Sequence, residues 1–407
     1  MLNLQRVAIT GLGIVSCLGN TQGEVASALR QGRSGIVVDP QRIELGFRSP
    51  LTARVADFDP SLLSRKQRKS MPDFAVWAYA TALDAVAQAG LSLSDLENDQ
   101  TGLIYGCDSS CIAAIEQVDV LRDKGETKSI GSGQIFRSMT STATMNLNTL
   151  LKTRGACWTL SSACSSGGHA VGQAADLIRL GRQERILCGG VQEVNWESMC
   201  SFDGLGAFST RVDDPRAASR PFDADRDGLV PGGGAATLLL ERYDLAQARG
   251  AEILGEVLGY GFSSDGGQLS VPSDDGMRRA MRMALDQGGL MAGEIDYYCA
   301  HATSTPAGDA AEAKNILNLF GKKTPPVSAL KGLTGHELWM AGAAQVVYST
   351  IMAQEGFTAA SANFIKPCPA TAGLNIIRET IPCSPRKVLC NSAGFGGTNA
   401  ALVLHFS

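Results

Sequence analysis

The strongest constraint in this sequence is a repeated alternation. Short apolar runs of strand length give way to stretches with helical spacing, and the pattern begins again after about residue 250. Residues 6–15 read as a buried strand running into a glycine turn. Residues 73–89 place Ala and Val on one helical face, 101–105 read as a strand, 170–180 as an amphipathic helix, and 185–188 and 235–240 as further strands. In the second stretch, 253–260 is a strand ending in a glycine turn, 276–287 a helix, 295–300 a strand, and 387–391 with 400–404 a closing pair. Strands alternating with helices make this an α/β chain. No linker rich in Pro, Ser or charge separates the two stretches. The expectation is therefore one two-lobed body of two degenerate halves, residues 1–250 and 251–407.

With 407 residues, 44% of them hydrophobic, the chain can bury a large core, and its net charge of −4 gives no overall pull toward nucleic acid or an anionic membrane. The opening residues lack the layout of a secretory signal, and no apolar run approaches the roughly 18 residues of a spanning helix, so a cytoplasmic protein is expected. The 11 cysteines are scattered without metal-type pair spacing and read as reduced core thiols, with Cys164 the exception; no metal is expected.

Two local patterns imitate known sites. Gly11 and Gly13 follow a strand, but Ser16 stands where a dinucleotide fingerprint needs its third glycine, so a tight turn is the better reading. Asp223, Asp225 and Asp227 resemble the start of a calcium loop, but Gly234 occupies the position of the required glutamate. These carboxylates read as turn caps or as partners of Arg220 and Arg226.

Four segments carry chemistry. The first runs from Thr159 to His169: a strand ends, Cys164 appears, and an amphipathic helix begins after Gly167 and Gly168. That places a thiol on a sharp turn at a helix N-terminus, where the helix dipole favours thiolate. In the second, His301 leaves the end of a strand among the hydroxyls of Thr303, Ser304 and Thr305, and Pro306 opens a helix near Asp309. In the third, Lys331 and His336 sit in a glycine-bracketed loop before a helical run at 340–352. The fourth is a glycine-rich loop between two strands, with Phe395 at its tip between Gly394 and Gly396. There are four histidines in the chain, and two of them fall in these polar loops.

Taken in order, the four segments resemble the β-ketoacyl-[acyl-carrier-protein] synthases, and the likeness covers nearly the whole chain. The run from Val7 to Ser16 matches the family opening; Cys164 to His169, His301 to Pro306, Lys331 to His336 and Gly394 to Asn399 match the other motifs. The stretch from Trp196 to Thr210 leans toward the type I branch of bacterial synthases. The resemblance implies a thiolase fold of five layers, α-β-α-β-α, in two duplicated halves, and a homodimer (or heterodimer) with acyl pockets near its interface. It implies decarboxylative condensation without a cofactor. Cys164 would carry the acyl group, and the N–H groups of Cys164 and Phe395 would form the oxyanion hole. His301, His336 and Lys331 would complete the catalytic set, Thr303 and Thr305 would hold the pantetheine arm, and Phe395 would be the gate. The partner implied is an acidic acyl carrier protein. Arg65, Lys66, Arg68 and Lys69 form a basic cluster that reads either as its dock or as a solvated helix face.

Departures from the family pattern are Ala302 for a glycine, Glu337-Leu338-Trp339 for Ser-Leu-Gly, Gln345 for a glutamate, Ala393 for an aromatic, and Asp108, Ser109 and Ser110 in a usually apolar glycine-rich stretch. By resemblance Asp108 and Ser109 would line the acyl pocket. Asp108 would then either be tied down by backbone N–H groups, face a polar or conjugated substrate, or point away. These departures suggest a specialised synthase of a polyene or polyketide pathway, such as the aryl-polyene type. A degradative thiolase is disfavoured because its second cysteine is missing from Gly394–Gly397, and a silent chain-length factor because Cys164 is present.

Overall fold

The computed structural model describes residues 4–55 and 57–407. Ten strands form one sheet: β1 (Val7–Val15), β2 (Thr101–Gly106), β3 (Cys157–Leu160), β4 (Arg185–Gln192), β5 (Gly234–Arg242), β6 (Gly255–Ser264), β7 (Tyr297–Cys299), β8 (Val327–Ser328), β9 (Lys387–Gly394) and β10 (Thr398–His405). Their order is β8-β7-β9-β10-β6-β1-β5-β4-β2-β3. In the middle of the sheet β6 meets β1 through two paired positions, Ala8 with Glu256 and Ile9 with Gly255.

On either side of that junction the topology is the same. Numbered within its own half, each set of five strands runs 3-2-4-5-1. In each, strand 2 is parallel to strands 3 and 4, and the remaining pairs are antiparallel.

Six helices complete the layers: α1 (Asp73–Gln88), α2 (Thr142–Leu151), α3 (Ser166–Arg179), α4 (Gly276–Gly288), α5 (Pro306–Phe320) and α6 (Ala341–Glu355). Three apolar cores glue them to the strands. Between the two half-sheets, Ala170, Val171 and Ile178 of α3 and Ala343, Val346 and Val347 of α6 pack with Ile9, Ile104, Leu238 and Leu402. Outside the first half, Phe74 and Ala78 of α1 and Leu147 of α2 cover Leu103, Leu187 and Leu239. Outside the second, Met281 and Leu285 of α4 and Ile316 of α5 cover Tyr298, Leu389 and Val403. The result is the five-layered α-β-α-β-α arrangement. Residues 341–352 of α6 are buried all round, as a helix between two sheets must be. Among the described residues no helix is long and apolar enough to cross a membrane.

Gly11 and Gly13 overturn the tight-turn reading. Both lie inside β1, paired with Leu239 and Thr237. They are small because α1 presses its backbone onto the strand: a Cβ on Gly11 would fall 1.9 Å from the Ala85 carbonyl oxygen, and one on Gly13 2.1 Å from that of Thr81. A backbone carbonyl cannot turn aside as a side chain can, so a methyl group here forces helix and strand apart. Gly13→Ala is expected to cost at least about 1–3 kcal/mol and to lower the melting temperature. A thermal unfolding curve superimposable on that of the unaltered protein would show that the close approach is not needed.

Candidate active site

The nucleophile turn is built by sequence-local strain and hydroxyl bonds. β3 ends at Leu160, and Ala163 takes a left-handed backbone at φ 45°, which a residue with a Cβ adopts only under constraint. The constraint is visible: Ser166 Oγ accepts from Ser162 N at 2.8 Å and donates to Ala163 O at 2.6 Å, and Thr398 Oγ1 donates to Ser162 O at 3.0 Å. The last bond ties the glycine-rich loop to the nucleophile turn. α3 then starts at Ser166, earlier than the pattern from 170 suggests, because Gly167 and Gly168 enter its first turn. They are needed there: a Cβ on Gly168 would meet Ser392 Oγ at 2.4 Å.

Cys164, His301, Thr303, Thr305, His336 and Phe395 all line one cavity of about 250 Å³. The rings of His301 and His336 stand edge to face, 5.2 Å between centroids. Thr303 and Thr305 share a hydroxyl bond of 3.0 Å. Phe395 is 41% exposed at the cavity wall and stacks on Phe202 at 5.9 Å. Lys331 lies behind the wall, buried, and its Nζ has no hydrogen-bond partner among the described residues.

Two carboxylates that sequence reading had not singled out or assigned a role organise the histidine loop. Glu312 of α5 accepts from the N–H of His301 at 2.9 Å and of Ala302 at 2.6 Å, from Tyr298 Oη at 2.9 Å and from Asn391 Nδ2 at 2.8 Å. Asp309, one turn earlier, accepts from the N–H of Phe222, Thr303 and Ser304, and lies 3.6 Å from Arg226. Burial nevertheless pushes Asp309 up to about 7. Their i, i+3 spacing behind a proline-opened helix was the available signal. Asp223 fills the turn role expected of it, accepting from the N–H of Asp225, Ile365 and Lys366 beside Arg220. His169 points elsewhere, to Tyr260 Oη at 2.6 Å.

The chain matches the model of the β-ketoacyl synthase N-terminal domain over residues 4–246 and that of the C-terminal domain over 254–365. The chain belongs to the β-ketoacyl synthase family. It is 40% identical over 404 residues to 3-oxoacyl-[acyl-carrier-protein] synthase 1 of Escherichia coli K12, covering 98% of this chain and 99% of the relative. A β-ketoacyl synthase from Burkholderia phymatum superposes with a TM-score of 0.94 at 35% identity, over 99% of this chain and 100% of the other. A type II PKS ketosynthase, solved in complex with its acyl-carrier protein and bound to the hexaketide, superposes at 0.91 with 26% identity over 99% and 100%. The fold is thus the thiolase fold, and the enzyme is an acyltransferase of the 3-oxoacyl synthase type.

In this synthase the electrostatics differ from the sequence expectation at the nucleophile. The thiol of Cys164 is pushed up to about 12, because desolvation outweighs the opposing pull of Lys331 and of the N–H groups of Cys164 and Phe395, while Asp108 adds to the rise. The helix dipole does not produce a resting thiolate: Cys164 precedes the first helical residue by two positions and is only 5% exposed.

Neither Asp108 nor Ser109 lines the cavity that holds His301 and His336. Asp108 is half-buried and is held by the Ser161 hydroxyl at 2.5 Å, not by backbone N–H groups; Ser109 bonds to Trp339. Arg65, Lys66, Arg68 and Lys69 sit on the short helix Arg65–Arg68 and just after it, apart from the residues of the cavity.

The family departures at Glu337 and Gln345 have local causes. Glu337 is buried against the Tyr348 hydroxyl, and desolvation pushes it up to about 7. Gln345 Nε2 donates to the carbonyls of Ala300 at 2.7 Å and Cys299 at 3.3 Å, bonds that an ionised carboxylate could not make.

His301 and His336 are both pushed well below the ordinary histidine value, first by desolvation and then by Lys331, with His336 adding to the effect on His301. They stay neutral at neutral pH. If activity needs neutral imidazoles, its acid limb falls below the usual histidine range. Lys331→Met removes the opposing charge, so the limb should move to higher pH. A pH–rate profile of the variant with its limb unmoved, or moved lower, would contradict this account.

Proposed function

We propose that this synthase elongates acyl chains carried on phosphopantetheine by decarboxylative condensation, with Cys164 as the nucleophile. The observation that carries this reading is the convergence of Cys164, His301, His336, Thr303, Thr305 and Phe395 on one cavity. The sulfur attacks the acyl thioester carbonyl, and the neutral imidazoles are available to take the thiol proton as the pantetheine thiol leaves. The N–H groups of Cys164 and Phe395, which face the sulfur, receive the oxyanion. The malonyl thioester then enters along Thr303 and Thr305. It loses carbon dioxide, and His301 and His336 donate to the enolate oxygen. The enolate carbon attacks the acyl-cysteine, forming the carbon–carbon bond and releasing the thiolate of Cys164. Lys331 supplies positive charge behind the histidines. The first half, residues 1–250, brings the nucleophile, and the second, residues 251–407, brings the histidines and the gate.

The pathway proposed is fatty-acyl elongation, in line with the name of the Escherichia coli relative. A polar or conjugated substrate gains no support from Asp108, whose carboxylate is hydrogen-bonded to Ser161 and does not line the cavity.

We read the enzyme as a cytoplasmic homodimer. β3 ends the sheet and pairs only with β2, Cys157 is exposed, and Trp158 is 40% exposed, so a second copy has an open edge to join.

The nucleophile is tested by mass. Incubated with an acyl thioester, the enzyme should gain one acyl group on Cys164, and Cys164→Ala should gain none and lose condensation. Acyl transfer surviving in Cys164→Ala would remove the assignment.

The partner is an acidic acyl carrier protein, by analogy with the type II PKS ketosynthase solved in complex with its own carrier. Arg65, Lys66 and Lys69 are exposed and, among the described residues, make no ion pair. Lys66→Glu with Lys69→Glu should raise KM for carrier-borne substrate several-fold, and salt should weaken the unaltered enzyme in the same way. Free pantetheine thioesters should be unaffected. An unchanged KM for the carrier-borne substrate would leave the cluster as a solvated helix face.

A further inference from the structure

Cys164 has two sides. One opens on the cavity with the histidines and the threonine pair, which the second thioester must occupy. The other is more closely packed: Cys164 belongs to an apolar cluster with Met199, Phe208, Leu229, Leu338 and Trp339, against which Phe202 leans, and of these Phe202, Leu229 and Leu338 also border the cavity. An acyl chain held on the sulfur has to leave the histidine side free, so it must extend into this cluster.

Trp339 belongs to that cluster and is held in place by its neighbours. Its indole Nε1–H donates to Ser109 Oγ at 3.2 Å, and its backbone N–H donates to Gln192 Oε1 at 3.3 Å. Phe202 packs on its ring at 6.4 Å between centroids, and Phe202 in turn stacks on Phe208 at 6.2 Å and on the gate residue Phe395 at 5.9 Å. The residue before it, Leu338, is held in a left-handed backbone at φ 43°. Its own carbonyl oxygen presses on α3, where a Cβ on Gly167 would lie 2.9 Å away. Trp339 is 7% exposed and cannot withdraw without breaking the Ser109 bond or parting the aromatic column.

We propose that Trp339, positioned by Ser109, is the back wall of the acyl site and restricts this synthase to short acyl groups. The proposal rests on the assignment of Cys164 as the acyl carrier. A rigid indole rejects by overlap, and a chain long enough to reach the ring cannot pass it while the ring stays in place. Ser109 acts through the indole and touches no substrate. It belongs to the acyl site as a positioning residue and not as part of the wall.

The test is acylation of Cys164 by butyryl and lauroyl thioesters of free pantetheine, followed by intact-mass spectrometry. The unaltered enzyme should load butyryl in preference to lauroyl by more than about tenfold. Trp339→Gly should shift the lauroyl-to-butyryl ratio by at least as much toward lauroyl. Ser109→Ala, which leaves the ring present but untethered, should shift the ratio in the same direction by less. A merely structural role would lower both rates together and leave the ratio alone. Equal loading of the two thioesters by the unaltered enzyme overturns the proposal without needing any variant. So does a selective enzyme whose ratio is unmoved in both variants. If neither thioester acylates the unaltered enzyme, the assignment of Cys164 as acyl carrier falls, and this inference falls with it.

Discussion

The site depends on one buried carboxylate. Glu312 has no access to water, yet it accepts four hydrogen bonds, from β7 through Tyr298, from the loop through the N–H groups of His301 and Ala302, and from β9 through Asn391. An acceptor so buried would cost about 1–3 kcal/mol for each bond left unmade, more when charged. Geometry that satisfies it is therefore strongly preferred over geometry that does not. The His301 loop can leave its strand in one direction only, the direction that presents both amides to α5. Asp309 repeats the device one turn earlier for Thr303 and Ser304. Two carboxylates on a single helix thus fix the backbone of the whole histidine and threonine segment.

The same desolvation that makes those bonds strong sets the protonation of the site. It raises Cys164 and Glu312 and lowers His301, His336 and Lys331, moving every group toward its neutral form. For the histidines this is useful, since a neutral imidazole can both accept a proton and donate a hydrogen bond. For the thiol it means that reactivity is not stored as a resting thiolate. In the proposed reaction the charge appears when the thioester arrives, in a place where the N–H groups of Cys164 and Phe395 already face it.

Much of this was legible in the sequence. The alternating pattern located β1, α1, β2, β4 to β6 and α4 to within a few residues, because the strands are short runs buried on nearly every residue and the helices keep one apolar face. The four glycine-bracketed motifs located Cys164, His301, His336, Thr303, Thr305 and Phe395 on one cavity, and Lys331 behind its wall. What escaped depends on distant partners. Gly11 and Gly13 looked like a turn because nothing local shows that the carbonyls of Ala85 and Thr81 lie over them. The helix start at Cys164 suggested thiolate, but the burial that reverses the sign comes from cluster residues far along the chain. Glu312 looked like any helical glutamate. Resemblance puts Asp108 and Ser109 on the acyl wall, and nothing local shows that Ser161 and Trp339 receive them.

The repeated topology explains why a site of this kind assembles at a junction of halves. In each half, strands 2 and 3 are parallel neighbours, so their C-terminal ends lie side by side. In the first half those ends release Asp108 and the Cys164 turn; in the second they release His301 and the Lys331–His336 loop. After each strand 3 the chain enters the buried helix of its half, α3 or α6, and the two helices meet through glycine: a Cβ on Gly342 would lie 2.4 Å from the backbone nitrogen of Gly168. That contact brings the two sets of loop ends together over the helix N-termini. Parallel strand ends are where open backbone amides and loop freedom coincide, which is why α/β proteins place ligands there. Here two such edges face one another, so Cys164 from one half meets His301 and His336 from the other without a long loop from either. The close helix crossing leaves no room for a Cβ at Gly342, which would meet the backbone of Gly168, or at Gly168, which would meet Ser392 of β9.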